Sequence, residues 1–595
     1  MADSEAVDRL HPVEEIQTRL SRHSSHGAAM RREGALNQLS NTVRTMSNQD
    51  AESRYRTEEA DNRVQLSGRS PCESLHDATG KKIISWEPND KENPYNWSTK
   101  RKLFINISGM LTVTNSTMGS SLPSMAIPYM TQEWGVTSST QKVLPISTYL
   151  IGYVFGPLLW GPLSEHIGRR NLTAVSLSLF TLWTLGCALS PNWPAFLIFR
   201  FLCGTFGSAP IAIVTGQLAD IYEDPVARGR ASRSKWHSLT LVDLVSFYFA
   251  MTVSGPLLAP IVSGFCSTTI GWRWSFWVAL IYAGATLIPV LFFLPETYGP
   301  VLLTRRARKL RKLDPTARVY AAFELEEKDI KQVITKVLTR PIRMILTETI
   351  VTATCLYLAL VYAIFYISFA AFPIVFQNLY GLSPGVTGLL FLPIFGGVII
   401  ALGTFFAWEN FLRKSQERNR PWTKKEEYRR VPLAAIGGPI FAASLFWLGF
   451  LAKTEINYAI PSLAGIGFGI GFQLIFIGML NYLTDAYEIF AASANAAASS
   501  ARSFLAVVLP LATTPMFMQL GISGALGLLG GLSLLLSTIP FIFLWKGERI
   551  RAGSAFCIAL KEKKLEMKRR AEEEMEKRND ATAAGSDSQE EKEVV

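Results

Sequence analysis

A chain of 595 residues that is 49% hydrophobic and only 18% charged, with its apolar residues gathered in long runs, is too apolar for a soluble globular protein. Its net charge of +11 is of the sign that suits nucleic acid. The Lys and Arg residues, however, fall between apolar runs, where the positive-inside bias of membrane topology accounts for them and a nucleic-acid partner is not expected.

Residues 1 to about 80 are rich in Ser, Arg, Glu and Asn, lack apolar periodicity and read as a disordered cytosolic tail. No cleavable leader is visible, so the first span acts as the insertion signal. A linker follows, with Trp86 and Trp97 suited to the membrane interface. Twelve apolar spans are then predicted at about 103–127, 141–163, 172–190, 195–221, 242–266, 274–294, 345–377, 386–408, 432–452, 459–484, 490–519 and 521–545. Each is long enough to cross about 30 Å of hydrocarbon at about 1.5 Å per residue. Backbone groups in lipid must be satisfied internally, so the spans are helices. The fold class is therefore an all-α membrane protein.

Charge between the spans sets the orientation. Arg169 and Arg170, the cluster from Arg305 to Lys312, and the cluster from Arg413 to Arg430 occupy one set of loops. The alternate loops near 128–140, 191–194 and 377–385 carry no Lys or Arg, so both termini are expected in the cytosol. The basic loop 300–343 divides six spans from six, which points to two bundles with the substrate path between them. The expected organisation is a tail and pre-helix linker over 1–100, a six-helix bundle over 101–299, a central cytosolic loop over 300–343, a second six-helix bundle over 344–546, and a charged cytosolic tail over 547–595. The six cysteines, Cys72, Cys187, Cys203, Cys266, Cys355 and Cys557, are scattered without a CxxC pair, so neither a disulfide framework nor a zinc site follows.

The tightest connection is Gly161-Pro162-Leu163-Ser164-Glu165-His166-Ile167-Gly168-Arg169-Arg170, a polar basic turn between two membrane-length segments. Its glycines permit a sharp reversal and close packing. Arg200 lies within the fourth span, and an arginine at that depth marks a functional site unless it bonds carbonyls or snorkels outward. Asp220 is 20 residues further along the same span, about 30 Å away, so the two cannot pair. Asp220 is expected beside Glu165, Arg169, Arg170 and Arg228, as a latch that breaks between states or as a plain surface network. In the fifth span Gly255, Pro256, Pro260 and Gly264 predict a bent helix with close neighbours.

The decapeptide resembles the loop signature of the major facilitator superfamily, G-x-L-x-[D/E]-x-x-G-R-[R/K]. The fifth-span run resembles that superfamily's antiporter motif, with Ala259 and Ser263 where two glycines are usual. Arg200 with Gly204 resembles a motif linked to proton coupling. With 271–277, 294–300 and 492–497, the set resembles the twelve-spanner drug:proton antiporters of fungi over about residues 86–552. The resemblance implies the major facilitator fold, two six-helix bundles, transport rather than catalysis, and a proton gradient as energy source with no cofactor. It also implies a small-molecule substrate, a lipid bilayer around a monomer, and a plasma-membrane location; a vacuolar protein would carry a similar sequence. Two departures stand out. Ala370 replaces a Glu frequent in polyamine exporters, and the stretch 232–244 exceeds the usual spacing by about a dozen residues, or about three helical turns. That stretch is either a longer loop or a gene-model error.

Asn115, Gln217, Tyr362, Tyr366, Phe369, Gln473, Asn495 and Arg502 are the cavity candidates, each with helix packing as the competing reading. Arg502 lies at mid-depth of the eleventh span with no Asp or Glu at comparable depth, so an electropositive cavity and a neutral or anionic apolar substrate are expected. The proton-binding residue is not identified by the sequence. A proton-independent facilitator or importer is the second transporter reading. A membrane enzyme is disfavoured, since only His166 and His237 lie outside the N-terminal tail and no nucleophile motif stands out.

Overall fold

The twelve expected spans fall within a computed structural model that describes residues 75–76, 82–87, 90–222, 241–314, 318–325 and 330–554, with short stretches between 556 and 569. Most of the N-terminal tail, Arg228, residues 232–240 and the end of the charged C-terminal tail lie outside the described residues. Residues 75–554 belong to one compact unit; the short stretches from 556 onward, helical where described, belong to another.

Ten stretches among the described residues are long and apolar enough to cross a membrane. They are α2 (Ser139–Ile167), α3 (Arg169–Ala188), α4 (Trp193–Ile221), α5 (Ser246–Thr269 within the longer helix Leu241–Thr269), α6 (Arg273–Phe293), α7 (Thr349–Leu379), α8 (Pro384–Glu417), α9 (Glu426–Leu451), α10 (Ala459–Tyr487), and the stretch Ala491–Ala552. The last has 62 residues, about 93 Å of helix and far more than one crossing. It breaks at Gly521, where φ is 67° and ψ 178°, a conformation that glycine reaches without strain. Residues 491–520 form α11 and 522–552 form α12.

The remaining span, α1 (Thr99–Ser121), is more polar than these yet is among the most buried helices. Its hydroxyls turn back onto the helix: Thr112, Thr114 and Thr117 donate to the carbonyls of Gly109, Met110 and Val113. The polar threonines of the helix are thus largely satisfied within it. Helix ends differ from the expected boundaries by a few residues; α1, for instance, starts at Thr99 rather than 103.

Helices α1–α6 pack mainly among themselves, α1 along α5, α2 and α3 against α4, and α3 against α6. Helices α7–α12 do likewise, α8 and α9 against α10, α7 against α11, and α9 against α12. The two bundles meet along α2 with α11 and along α5 with α8. The segment expected as a basic loop is partly ordered: helix Gly299–Leu313 is followed by β3 (Val319–Ala321) and a helix ending at Thr347. β3 pairs in parallel with β2 (Lys82–Ile84), which pairs antiparallel with β1 (Leu75–His76). The linker before α1 is thereby tied to the central segment, reinforced by the Asp90–Arg306 ion pair.

Candidate functional site

An even number of crossings returns the chain to the side where it started. The face on which α1 begins and α12 ends is here the tail face; the opposite one is the far face.

At the tail face each bundle carries an arginine between two carboxylates at the matching place in its helices, and the second bundle has a further one, Arg551 with Glu426 and Glu427. Only Gly168 separates α2 from α3, and its φ of 102° makes the turn. Arg169, the first residue of α3, places Nε 3.1 Å from Asp220 Oδ2 and Nη2 3.8 Å from Glu165 Oε1. Its backbone N–H donates to Glu296 Oε1 at 2.9 Å, an acidic group at a helix start. Arg170 turns away and donates to the Leu291 carbonyl, so it stands outside the expected latch. Gly161, expected to allow close packing, has nothing within 4 Å of where a Cβ would sit. In the second bundle Arg430 Nε lies 2.9 Å from Asp485 Oδ2, and its Nη1 pairs with Glu409. Glu165, Arg169 and Asp220 on α2, α3 and α4 correspond to Glu409, Arg430 and Asp485 on α8, α9 and α10. The first three were expected together from the sequence; of the second three only Arg430 was singled out, as a loop charge, and the internal repeat of the two halves was the signal that would have grouped them.

Toward the far face the bundles touch through backbone. A Cβ on Gly264 would meet the Pro384 carbonyl at 2.5 Å, and one on Gly388 would meet the Pro260 carbonyl at 2.6 Å. Gly255 faces its own bundle, against Thr114 and Thr117 of α1, and the Pro256 carbonyl accepts from Ser121. The glycines of α5 thus serve two different interfaces. Among the described residues, hydrogen bonds cross between the bundles: Ser120 with Tyr366, Gln377 to Met125, Ser147 to Val507, and Ser500 to Val154. They lie from mid-membrane to the far ends.

Arg200 is 2% exposed. Its Nε donates to the Pro145 carbonyl at 2.8 Å, Nη1 to Gly119 at 2.7 Å and Nη2 to Ser120 at 2.9 Å, and the guanidinium lies over Tyr149. The Pro145 carbonyl belongs to a proline-bearing turn of α2, and the other two close α1. The arginine thus joins α1, α2 and α4 through carbonyls, the arrangement that competes with a direct functional role.

Between the bundles lies a cavity with about 580 Å³ of space between atoms, open solvent included. One wall comes from α2, α4 and α5, the other from α7, α10 and α11. Tyr362, Phe365, Phe472 and Phe476 form its aromatic side, with Phe472 and Phe476 stacked at 4.5 Å. Among the described residues, Arg502 is the only charged one lining it. The guanidinium sits 5.4 Å from the Tyr362 ring and 5.5 Å from that of Phe476, and Nη2 donates to Ser499 Oγ at 3.4 Å. Gln473, 0% exposed, has neither its Nε2 nor its Oε1 hydrogen-bonded within the protein. Leaving such groups unmatched costs about 1–3 kcal/mol each.

Of the eight cavity candidates, Tyr362, Gln473 and Arg502 line this space. Tyr366 is one turn farther on and bonds Ser120 across the bundle interface. Phe369 stacks on Phe391 at 5.2 Å. Asn115 donates to Thr286 between α1 and α6, and Asn495 to Thr484 between α11 and α10. Gln217 is buried against Gly109 of α1. Sequence reasoning missed Tyr153, Tyr248, Phe249 and Thr252. The spacing Phe249, Thr252, Val253, Pro256 on α5 is one helical face and was the available signal.

The comparisons with known proteins agree with this architecture. The family model for the Major Facilitator Superfamily matches residues 109–510. The chain belongs to that superfamily. It is 34% identical over 481 residues to the ascochitine biosynthesis cluster MFS transporter of Didymella fabae, covering 80% of this chain and 89% of that one. It is 33% identical over 472 residues to the efflux pump FUB11 of Gibberella moniliformis, covering 79% of this chain and 76% of that one. Among solved structures, the proton:xylose symporter XylE aligns with a TM-score of 0.54 at 17% identity, covering 76% of this chain and 96% of that one, a likeness of fold. This member of the superfamily is a multi-pass membrane transporter and not an enzyme.

Proposed function

We propose that the chain exports apolar or amphiphilic small molecules, neutral or anionic, in exchange for protons by alternating access of the two bundles about the central cavity. The observation that carries this reading is the cavity itself: it is walled by both bundles, largely aromatic, and has one charged lining residue. The efflux pump and the biosynthesis-cluster transporter among the relatives support a product of secondary metabolism as substrate. The tail face is the cytosol on this reading, with both termini there, in the plasma membrane of a monomer that needs lipid, substrate and protons but no cofactor and no nucleic acid. Close backbone packing toward the far face supports a conformation closed to the outside. Arg169 and Arg430, each clamped within its own bundle, then act as the inner-gate elements that exchange partners when the bundles rock.

A second reading, movement without proton exchange, is favoured by one observation: no Asp or Glu is among the cavity's lining residues. Proteoliposomes with an imposed pH gradient separate the two. Gradient-driven accumulation of an aromatic test compound supports antiport; movement indifferent to the gradient supports the facilitator.

A further inference from the structure

The cavity's two most unusual polar groups face the same space. Arg502 brings five N–H donors, of which one is directed at Ser499 and none at a carboxylate among the described residues. Gln473 on α10 brings an unpartnered amide flanked in sequence by Phe472, with Phe476 one turn on. The guanidinium lies against Tyr362 and Phe476, which hold it without neutralising it. A planar fork, a buried amide and a stack of aromatic faces form a complementary surface for a flat conjugated molecule that ends in a delocalised oxyanion.

We infer that Arg502 and Gln473 together form a carboxylate-recognising subsite within the central cavity, and that the ligand it selects is a small aromatic anion. The inference rests on the exporter reading only in taking this cavity as the substrate site. The guanidinium takes the carboxylate by paired N–H donors, the Gln473 Nε2 supplies a further donor, and the Phe472–Phe476 stack takes the ring. Arg502 also explains selection against cations: an ammonium group in the same space meets a positive charge with no acidic residue among the lining residues to offset it.

The test uses the full-length protein in lipid nanodiscs and two probes of one ring system, naphthoate and the uncharged naphthalenemethanol, with binding measured by titration calorimetry. Wild type is expected to bind naphthoate at least about tenfold more tightly than the alcohol, the size of effect expected of a charge-assisted hydrogen bond. Arg502→Gln is expected to bring the two affinities to within about twofold, and Arg502→Lys to keep part of the gap because it keeps charge without the fork. Gln473→Leu is expected to weaken naphthoate by about three- to tenfold and leave the alcohol unchanged. Equal binding of the two probes by wild type, or a preference that survives Arg502→Gln, overturns the inference. Arg502→Lys and Gln473→Leu keep the test valid if Arg502→Gln does not fold. Counterflow of both probes in proteoliposomes reads the transport function separately. Naphthoate preference without counterflow leaves the subsite standing and sinks the exporter reading; counterflow of the alcohol without naphthoate preference does the reverse.

Discussion

Arg200 and Arg502 look alike in sequence, since each is a lone arginine in an apolar span, but the molecule treats them in opposite ways. Three donor nitrogens of Arg200 end on backbone carbonyls of α1 and α2, and it is 2% exposed. Arg502 lies against two aromatic rings and a serine, facing a cavity. An arginine with satisfied donors holds structure; one with donors to spare waits on chemistry from elsewhere. Burial alone does not distinguish a site from a strut, whereas the count of unspent hydrogen-bonding groups does.

The largest expected effect is on the strut. Arg200→Ala leaves three buried carbonyls without their donor and should cost about 3–5 kcal/mol, seen as a large fall in melting temperature and in folded yield. Arg200→Lys should recover only part of it, because an ammonium cannot span three separate carbonyls as the guanidinium fork does. If Arg200→Ala melts like wild type yet loses proton dependence, the contrast between the two arginines fails.

The next effect concerns motion rather than stability. Gly264→Val and Gly388→Val place carbon against backbone carbonyls across the bundle interface, where no side chain can move aside. Transport should be lost while each bundle stays folded, checked by counterflow beside a melting curve. Gly161→Ala, facing open space within α2, should stabilise by about 0.5–1 kcal/mol through helix propensity alone.

Arg169 lies between the extremes, being buried but paired with carboxylates. Asp220→Asn should cost about 1–3 kcal/mol through the buried guanidinium it leaves underpaired. Asp485→Asn should behave alike if the two clusters are equivalent devices. Transport kinetics measured on both variants would reveal any asymmetry between the halves.

The smallest effect belongs to arginines outside the membrane spans. Partial burial would raise the Glu324 carboxyl, but the hydrogen bonds from Arg311, the Ala321 N–H and Arg308 outweigh it and hold the group below its ordinary range. A depressed carboxylate contributes stability that is present above its unfolded value, about 4.3. That contribution is lost as pH falls through the lower folded value. Amide protection factors over 318–325, corrected for the intrinsic pH dependence of exchange, should therefore fall on acidification in wild type, and in Glu324→Gln they should be low at neutral and at acid pH alike.

Much of the fold was legible because hydropathy reports lipid exposure directly. Ten stretches have that signal, the last of them long enough for two spans, and its break at Gly521 falls beside the gap expected between 519 and 521. α1 is the instructive exception: its Thr hydroxyls bond their own helix while Asn106, Asn115 and Ser121 bond neighbouring ones, so polar residues lower the hydropathy without preventing insertion. The helices within 299–347 were missed because their apolar faces alternate with many Lys and Arg residues, which read as loop charge. The candidate site was legible as residue types but less so as positions. Tyr362 and Tyr366 share a helix face one turn apart, yet one lines the cavity and the other ties the bundles together. Which neighbour lies opposite each turn is set by tertiary packing, and no spacing rule within one helix contains it.

The central claim, that one buried arginine is a strut and the other a ligand contact, is tested most directly by melting temperature with and without naphthoate for wild type, Arg200→Lys and Arg502→Gln. The expected result is a lowered baseline for Arg200→Lys with a naphthoate-induced rise still present. Arg502→Gln should show a near-wild-type baseline with that rise abolished. A baseline that drops in Arg502→Gln as it does in Arg200→Lys, or a naphthoate shift that persists without the Arg502 guanidinium, would contradict the account.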